Sequence, residues 1–259
     1  MKPASGKIYL VGAGPGAPDL ITLRAAHVLA RADIVFYDAL VNPDTVALAT
    51  KAEKLAVGKR CGRHSTVQRF INKRLIDAAA KFDTVVRLKG GDPMLFGRAQ
   101  EEIDALQQAG VAVEIVPGVT SALTASAELG LSLTRRGVSR SVVFATQRVG
   151  AGEKAAGWAK SVAAADTAVL YMAAGQAAEV ADALQAAGMS AGTPVAVVEN
   201  ASLPTVRRLY TRLGQLAAAV AAWRLSGPAV ILLGEVYRQR AVAMHGEPLE
   251  DGHIAYGNS

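Results

Sequence analysis

The sequence predicts an α/β protein made of two α/β subdomains with the functional site between them. Short apolar runs alternate with longer amphipathic runs along most of the 259 residues, as strands alternate with helices in this fold class. The first half repeats the alternation regularly, which predicts a largely parallel sheet covered on both faces. The second half contains more strand-like sequence, which predicts a mixed sheet.

The predicted limits follow from where these patterns break. We expect an N-terminal subdomain over 1–118, a C-terminal subdomain over 119–240 and a loose polar tail over 241–259. The first boundary follows Pro117 and Gly118, which end a strand-like run.

Ten short apolar runs predict strands, and seven amphipathic runs predict helices. The predicted strands are 8–11, 33–37, 54–57, 84–88, 112–116, 141–146, 167–172, 194–199, 206–210 and 229–236. The predicted helices are 20–31, 43–50, 66–80, 98–109, 119–129, 176–187 and 213–223.

The composition is that of a globular protein, with 51% apolar and 19% charged residues. No apolar run approaches the ~20 residues that a membrane span needs, and the polar start of the chain lacks a signal-peptide core. Cys61 is the only cysteine, so no intrachain disulfide forms. We therefore expect a cytoplasmic protein with no membrane partner.

The net charge of +6 fits a nucleic-acid partner, a solvated basic surface or a small polyanionic substrate. Aromatic residues make up only 5% and the basic residues are spread out, so we expect no nucleic acid. The four histidines are scattered without the spacing of metal ligands, so we expect no metal. The densest basic region contains Lys59, Arg60, Arg63, Arg69, Lys73 and Arg74.

A glycine-rich loop, "YLVGAGPGAPDLIT", follows the first predicted strand. Gly12, Gly14 and Ala17 satisfy the G-x-G-x-x-G/A dinucleotide pattern, and Asp33 and Asp38 lie at a suitable distance to hold a ribose. This pattern predicts a nicotinamide- or flavin-dependent oxidoreductase as one alternative.

The prolines of the same loop argue against a dinucleotide site. Pro15 removes an amide donor that a pyrophosphate would need, and Pro18 would interrupt a helix that began inside the glycines. We expect the helix to begin near Asp19, after a turned loop that packs closely against a ligand.

A second glycine stretch, "VVRLKGGDPMLFGR", follows the fourth predicted strand. Gly90 and Gly91 come directly after the buried run. Adjacent glycines at a strand end indicate that another group comes very close to the backbone there.

These two stretches and five others occur in an order and at a spacing that resemble one family. The others are "ADIVFYDALV", "VGKRCGRH", "VPGVTSA", "YMAAG" and "VENAS". Across residues 6–238 the chain resembles the uroporphyrinogen-III C-methyltransferases of the tetrapyrrole methylase family. The resemblance implies a homodimeric enzyme with a cleft for S-adenosyl-L-methionine between its subdomains. It also implies methylation of uroporphyrinogen III at C2 and C7, giving precorrin-2.

The resemblance also implies roles for individual residues. Asp38 corresponds to the family's proton acceptor and Lys59 to its proton donor. The implied cofactor contacts are Pro15, Gly90, Gly91, Asp92, Leu95, Thr120, Ser121, Met172, Ala201 and Ala229.

Three further residues match substrate-side positions of the family: Arg98, Glu101 and Arg136. Arg98 is a second candidate for handling the proton, but its high pKa favours a role as a carboxylate clamp. Arg98 and Glu101 lie one helical turn apart and are expected to share a face.

The sequence departs from the family pattern mainly at expected substrate positions. Another precorrin therefore remains an alternative substrate. The departures are Ala99, Gln100, Arg135, Gly137, Gln147, Arg148 and Val206.

Overall fold

The computed structural model describes residues 6–57, 64–148 and 157–238. Unit 1 contains the residues up to Thr124 together with Ala201–Pro204, and unit 2 contains Ala125–Asn200 and the described residues from Thr205. The chain thus divides a few residues past the predicted limit at 118, and Ala201–Pro204 was not expected to join the first unit. The candidate residues Lys59 and Cys61 lie outside the described residues.

Unit 1 is built on a five-stranded sheet in which every neighbouring pair is parallel, as the sequence predicted. The strand order is β3-β2-β4-β1-β5. The strands are β1 (Lys7–Gly12), β2 (Ile34–Tyr37), β3 (Glu53–Ala56), β4 (Thr84–Lys89) and β5 (Ala112–Val116).

Helices cover both faces of this sheet, because its central strands are apolar on both sides. Ile8 and Leu10 of β1 pack with α3 and α4, whereas Tyr9 and Val11 pack on the opposite face with α1 and α2. The helices are α1 (Leu23–Ala30), α2 (Pro43–Ala47), α3 (His64–Ala79), α4 (Ala99–Gln108) and α5 (Ser121–Leu129), the last of which continues into unit 2.

The predicted start of α1 near Asp19 is wrong. Pro18–Leu20 forms a separate 3-10 turn, and the backbone is extended at Ile21 and Thr22. The Thr22 side chain then caps α1 by accepting a hydrogen bond from the amide of Ala25 at 3.2 Å.

The sheet has a topological switch point between β1 and β4, which are neighbours. The connection from β1 runs through α1 on one face towards β2, and the connection from β4 runs through α4 on the other face to β5. Ligands of open α/β sheets bind at the carboxyl ends of strands whose connections diverge in this way. The topology therefore marks the loops after β1 and β4.

Unit 2 contains the predicted mixed sheet, with strand order β6-β7-β10-β8-β9. Only β6 and β7 pair in parallel, and the other neighbours are antiparallel. One face packs against helices α6 to α8. The elements are β6 (Val142–Ala145), α6 (Trp158–Ala163), β7 (Thr167–Tyr171), α7 (Ala177–Ala186), β8 (Pro194–Glu199), β9 (Arg207–Arg212), α8 (Leu216–Trp223) and β10 (Ala229–Gly234).

The short helix α6 was not predicted. It has six residues and one fully buried side chain, Val162, so its sequence shows no repeated apolar spacing. Across the ranges 6–57, 64–148 and 157–238, no helix combines the length and apolar character that a bilayer crossing requires.

A buried carboxylate ties together the end of β8 and the start of β10. Glu199 is fully buried, and one of its oxygens accepts hydrogen bonds from the amides of Ser226 (2.6 Å) and Gly227 (2.5 Å). The other oxygen accepts from Nε of Arg207 at 2.6 Å, and that guanidinium stacks over Trp223 at 4.7 Å. Burial by itself raises the pKa of Glu199, but these donors together hold it below its ordinary value.

We predict that Glu199→Gln lowers the free energy of unfolding by about 2–3 kcal/mol at pH 7, because a glutamine NH₂ would face a group that is itself a donor. Because the pKa of Glu199 is lowered in the folded state, this stabilisation is fully present above the ordinary glutamate pKa of about 4.3. The stabilisation is lost as the pH falls through the lower folded-state pKa. The difference in unfolding free energy between wild type and variant, measured by urea unfolding, should therefore become smaller in acid.

The control is Glu179→Gln, which changes an exposed glutamate on α7 of the same unit. It should leave stability within about 0.5 kcal/mol of the wild type. Equal effects of the two substitutions at pH 7 would show that the Glu199 cluster adds no stability.

Candidate active site

Four loops leave the same edge of the unit 1 sheet. Asp38 follows β2, Gly90 and Gly91 follow β4, and Gly118 follows β5, while the first glycine loop follows β1. Because the strands are parallel and in register, with Gly12 opposite Lys89, the glycine motifs and Asp38 converge at this carboxyl edge.

Three glycine backbones cross within contact distance here. A Cβ atom on Gly118 would lie 2.3 Å from the carbonyl oxygen of Gly91 and 2.8 Å from Cα of Gly12. The backbones of Gly14 and Gly91 also bond to each other, and the amide of Gly91 donates to the Gly14 carbonyl at 2.7 Å. Only glycine permits this packing at Gly12 and Gly118.

Gly91 has a second property, because one side of it is open. Its φ is +68°, and a Cβ placed on it would meet nothing within 4 Å in the part of the chain that the structure describes. The turn thus holds its backbone conformation while keeping clear space beside the glycine.

Asp92 fixes the turn that follows. Its carboxylate accepts hydrogen bonds from the amides of Met94 (2.7 Å) and Gly118 (2.9 Å), and its carbonyl accepts from the amide of Leu95 at 3.3 Å. The side chain therefore joins the loops after β4 and β5.

The first glycine loop is held by the four residues that unit 1 takes from the second half of the chain. The amide of Ala17 donates to Oγ of Ser202 at 2.9 Å, and a Cβ on Gly16 would lie 3.1 Å from the side chain of Leu203. These contacts bring the loop of Pro15 to the segment that begins with the buried Ala201.

The dinucleotide interpretation does not fit this geometry. Helix α1 begins well after the glycines, and the amides of Ala13 and Gly14 already donate to the carbonyls of Lys89 and Gly91. Asp33 lies at the opposite, amino end of β2, where its carboxylate accepts from the amide of Thr84 at 2.8 Å. The pattern therefore lacks both a phosphate site and this ribose ligand.

Asp38 is held from one side only. Its Oδ1 accepts a hydrogen bond from Nη2 of Arg87 at 2.6 Å, and its side chain is 31% exposed. Within residues 6–57, 64–148 and 157–238, no hydrogen bond reaches Oδ2. The roles of Asp38 as proton acceptor and of Lys59 as proton donor stay predictions.

The buried charges behind Asp38 were not identified from the sequence. Arg87 is 2% exposed, and its Nε donates to Oε1 of the fully buried Glu102 at 3.2 Å. Lys89 donates to the same oxygen at 3.0 Å and Gln68 at 3.1 Å. Burial is the main cause that lowers the pKa of Lys89, and Arg87 lowers it further. The available signal was two cations within an otherwise apolar strand, since buried charges require partners.

Arg98 and Glu101 form the predicted pair on α4. Nε and Nη2 of Arg98 each donate to one oxygen of Glu101 at 2.6 Å, and both side chains are largely exposed. The hydrogen bond from Arg98 lowers the pKa of Glu101. The third substrate candidate, Arg136, lies exposed in unit 2 on a turn closed by hydrogen bonds between Arg135 and Ser139.

The remaining cofactor candidates are divided between the units. Leu95, Thr120 and Ser121 are half-buried in unit 1, and Ser121 begins α5. Ala229 begins β10 in unit 2 and pairs with Glu199.

Met172 lies in unit 2, where it lines an open pocket of about 440 Å³. Its φ is +56°, and its side chain is 45% exposed. Gln147 and Arg148, two departures from the family pattern, line the same cavity, where Gln147 donates to Gln176 at 3.0 Å. In the described ranges, no group of three or more histidine, cysteine, aspartate or glutamate side chains is arranged to hold a metal ion.

Comparisons with known proteins agree with this architecture. The profile of the Tetrapyrrole (Corrin/Porphyrin) Methylases matches residues 7–217. A uroporphyrinogen-III C-methyltransferase of Pseudomonas aeruginosa is 42% identical over 234 residues, which cover 90% of this chain and 95% of that protein. A siroheme synthase of Psychrobacter sp. is 41% identical over 93% of this chain, but the chain spans only about half the length of the siroheme synthases that it matches.

A solved structure has the same fold. The uroporphyrin-III C-methyl transferase of Thermus thermophilus, crystallised with S-adenosylhomocysteine, is 39% identical and superposes with a TM-score of 0.78. The match covers 90% of this chain and 100% of that chain. The chain therefore belongs to the tetrapyrrole (corrin/porphyrin) methylase family.

Proposed function

We propose that the chain is an S-adenosyl-L-methionine-dependent C-methyltransferase that methylates uroporphyrinogen III at C2 and C7 and releases precorrin-2. Family membership and the nearly full-length relative named for this activity support the proposal. The structural observation that carries it is the arrangement at the carboxyl edge of the unit 1 sheet. Two glycine turns meet there, and the carboxylate of Asp38 at the same edge accepts a hydrogen bond from Arg87 through Oδ1.

The glycine turns fit a cosubstrate that lies against backbone. The open side of Gly91 leaves room for a ligand atom where any other residue would place its Cβ. Asp92 and Gly118 keep the turn rigid through their hydrogen bond, so its backbone groups are oriented before binding. When bound, S-adenosyl-L-methionine supplies an electrophilic methyl group whose leaving group needs no proton.

The remaining work of the chain is to align the ring carbon, exclude water and remove a proton. After methylation the ring must lose a proton, and Oδ2 of Asp38 is the acceptor that we assign. Arg87 holds Oδ1 and leaves Oδ2 for the substrate side. Lys59 keeps its assignment as proton donor, and Arg98 is the second candidate for handling the proton.

The substrate is a polycarboxylate, and the chain has a net charge of +6. We assign Arg98 and Arg136 to substrate carboxylates, because a guanidinium binds a carboxylate with two parallel hydrogen bonds. The fork of Arg98 already binds Glu101 in this way. A substrate carboxylate would therefore exchange with that of Glu101.

The wider setting belongs to the same proposal. We place the enzyme in the cytoplasm as a homodimer, without nucleic acid, membrane or metal, supplying siroheme or cobalamin synthesis. Another precorrin is the alternative substrate, because Gln147 and Arg148 change the cavity beside Met172.

The first prediction concerns the reaction. Incubation with uroporphyrinogen III and S-adenosyl-L-methionine should give a product heavier by two methyl groups in mass spectrometry. A gain only with a precorrin would select the alternative substrate, and no gain with any tetrapyrrole would contradict the proposal. Isotope labelling of the methyl groups followed by NMR should locate them at C2 and C7.

The second prediction compares two glycines with the same conformation. Gly91 (φ +68°) and Gly110 (φ +70°) both have nothing within 4 Å of a built Cβ. Alanine at either position should destabilise the ligand-free protein by about 1–2 kcal/mol, because both need the left-handed region. Only Gly91→Ala should also weaken S-adenosylhomocysteine binding, by at least tenfold or ~1.4 kcal/mol.

Isothermal titration calorimetry beside thermal melting separates the two effects. Equal affinities for the Gly91→Ala and Gly110→Ala variants would remove Gly91 from the cofactor site.

The third prediction tests Asp38. Asp38→Asn should keep S-adenosylhomocysteine bound and slow methyl transfer by ~10²–10⁴-fold, the range for a lost general base. Asp44→Asn, at an exposed aspartate of α2, is the control and should have no effect. A near-normal single-turnover rate in folded Asp38→Asn would remove Asp38 from the mechanism.

A further inference from the structure

Glu102 is the centre of the buried polar cluster in unit 1. Its Oε1 accepts hydrogen bonds from Gln68 of α3 and from Arg87 and Lys89 of β4, and the residue is fully buried on α4. Its Oε2 is equally buried and has no hydrogen-bond partner among the residues that the structure describes. One carboxylate oxygen thus gathers donors from two neighbouring elements.

These contacts fix the plane of the Arg87 guanidinium. Nε donates to Glu102, Nη1 donates to the carbonyl of Leu88 at 3.2 Å, and Nη2 donates to Oδ1 of Asp38 at 2.6 Å. The acceptors on Glu102 and Leu88 do not depend on Asp38, and together they orient the planar guanidinium. The direction from which Nη2 reaches Asp38 is therefore set by the position of Glu102.

We infer that Glu102 is a positioning residue for methyl transfer, acting through Arg87 to hold Asp38 so that Oδ2 faces the substrate. This inference rests on the proposed function, in which Asp38 accepts the proton. Asp38 is at the end of β2 and a third exposed, so without a fixed partner its carboxylate would rotate among orientations. The hydrogen bond from Arg87 fixes the Asp38 carboxylate before the substrate binds. The hydrogen bond from Arg87 to Glu102 in turn fixes the orientation of Arg87.

The charges of the cluster explain why a carboxylate is required at position 102. Arg87 and Lys89 are both cationic and buried, and Glu102 and Asp38 balance them. Glu102 also lies in the first turn of α4, where the helix N-terminus stabilises a negative charge. If residue 102 were neutral, Arg87 and Lys89 would keep their mutual repulsion and lose the carboxylate that binds both of them.

The test is a double-mutant cycle between Glu102→Gln and Asp38→Asn. Glutamine keeps the size and one acceptor oxygen of Glu102 but removes its charge. Single-turnover methyl transfer from labelled S-adenosyl-L-methionine to uroporphyrinogen III is measured for the wild type, both single variants and the double variant. The affinity for S-adenosylhomocysteine is measured by calorimetry for each.

We expect Glu102→Gln to slow transfer by at least tenfold in the wild-type background and by less than twofold in the Asp38→Asn background. Its S-adenosylhomocysteine affinity should stay within twofold of wild type. Asp104→Asn changes an exposed carboxylate on the same helix, paired with Gln100 at 2.7 Å, and should leave both measurements unchanged.

Three outcomes would overturn the inference in different ways. Equal losses in both backgrounds would show that Glu102 acts independently of Asp38, since effects that pass through Asp38 cannot add to its removal. A parallel loss of S-adenosylhomocysteine affinity would show that Glu102 only supports the fold. A normal rate in Asp38→Asn alone would remove the proton acceptor of the proposed function and this inference with it.

Glu102→Asp gives a second cycle in case the glutamine variant does not fold. It retains the charge and withdraws the carboxylate by one methylene, so the fold keeps its counter-ion while the contact with Arg87 changes. The same dependence on the Asp38 background is expected, and additive losses would again contradict the inference.

Discussion

The close approach of three backbones at the carboxyl edge of the unit 1 sheet is the constraint on which the site depends. Gly12 and Gly118 stand where a single Cβ would collide with a neighbouring main-chain atom, and the carbonyl oxygen of Gly91 lies against both. The loops after β1, β4 and β5 can therefore share one small volume. With that volume occupied by backbone, the hydrogen-bonding groups of the turns form a rigid surface whose shape does not depend on side-chain rotamers.

Several residues in loops of both units have backbone conformations that residues other than glycine rarely adopt. In the described ranges, six residues other than glycine have positive φ, and all except Arg224 are, or adjoin, a candidate site residue. They are Phe96, Arg98, Met172, Asn200, Ser202 and Arg224. Such conformations cost of order 1–3 kcal/mol each and persist only where surrounding contacts enforce them. The Asp92 and Ser202 hydrogen bonds are contacts of this kind.

The sequence was sufficient for the elements but not for the interactions between them. In the described ranges, the sequence predicted all ten strands and seven of the eight α-helices, because apolar periodicity and turn residues are local signals. The start of α1 was misjudged, since Asp19 and Thr22 are both good capping residues and only Thr22 receives an amide from Ala25. Asp33 and Asp38 were both predicted as ribose ligands, but they flank β2 at its opposite ends.

The cluster around Glu102 could not be predicted in this way. Its members come from α3, α4, β2 and β4, and only the packed fold shows that Gln68, Lys89 and Arg87 reach one oxygen. The packing of Ala201–Pro204 into unit 1 likewise depends on contacts between residues that are far apart in the sequence. No local pattern reports which distant segment will complete a loop.

The hydrogen bond between Ala17 and Ser202 spans 185 positions of the chain. On a translating ribosome, the sheet of unit 1 can assemble once β5 has emerged, because its five strands are contiguous in sequence. The first glycine loop cannot form its contacts with Ser202 and Leu203 until these residues have been synthesised, which happens after most of unit 2. The loop proposed to contact the cosubstrate therefore depends on a segment that is synthesised long after the strands of its own sheet.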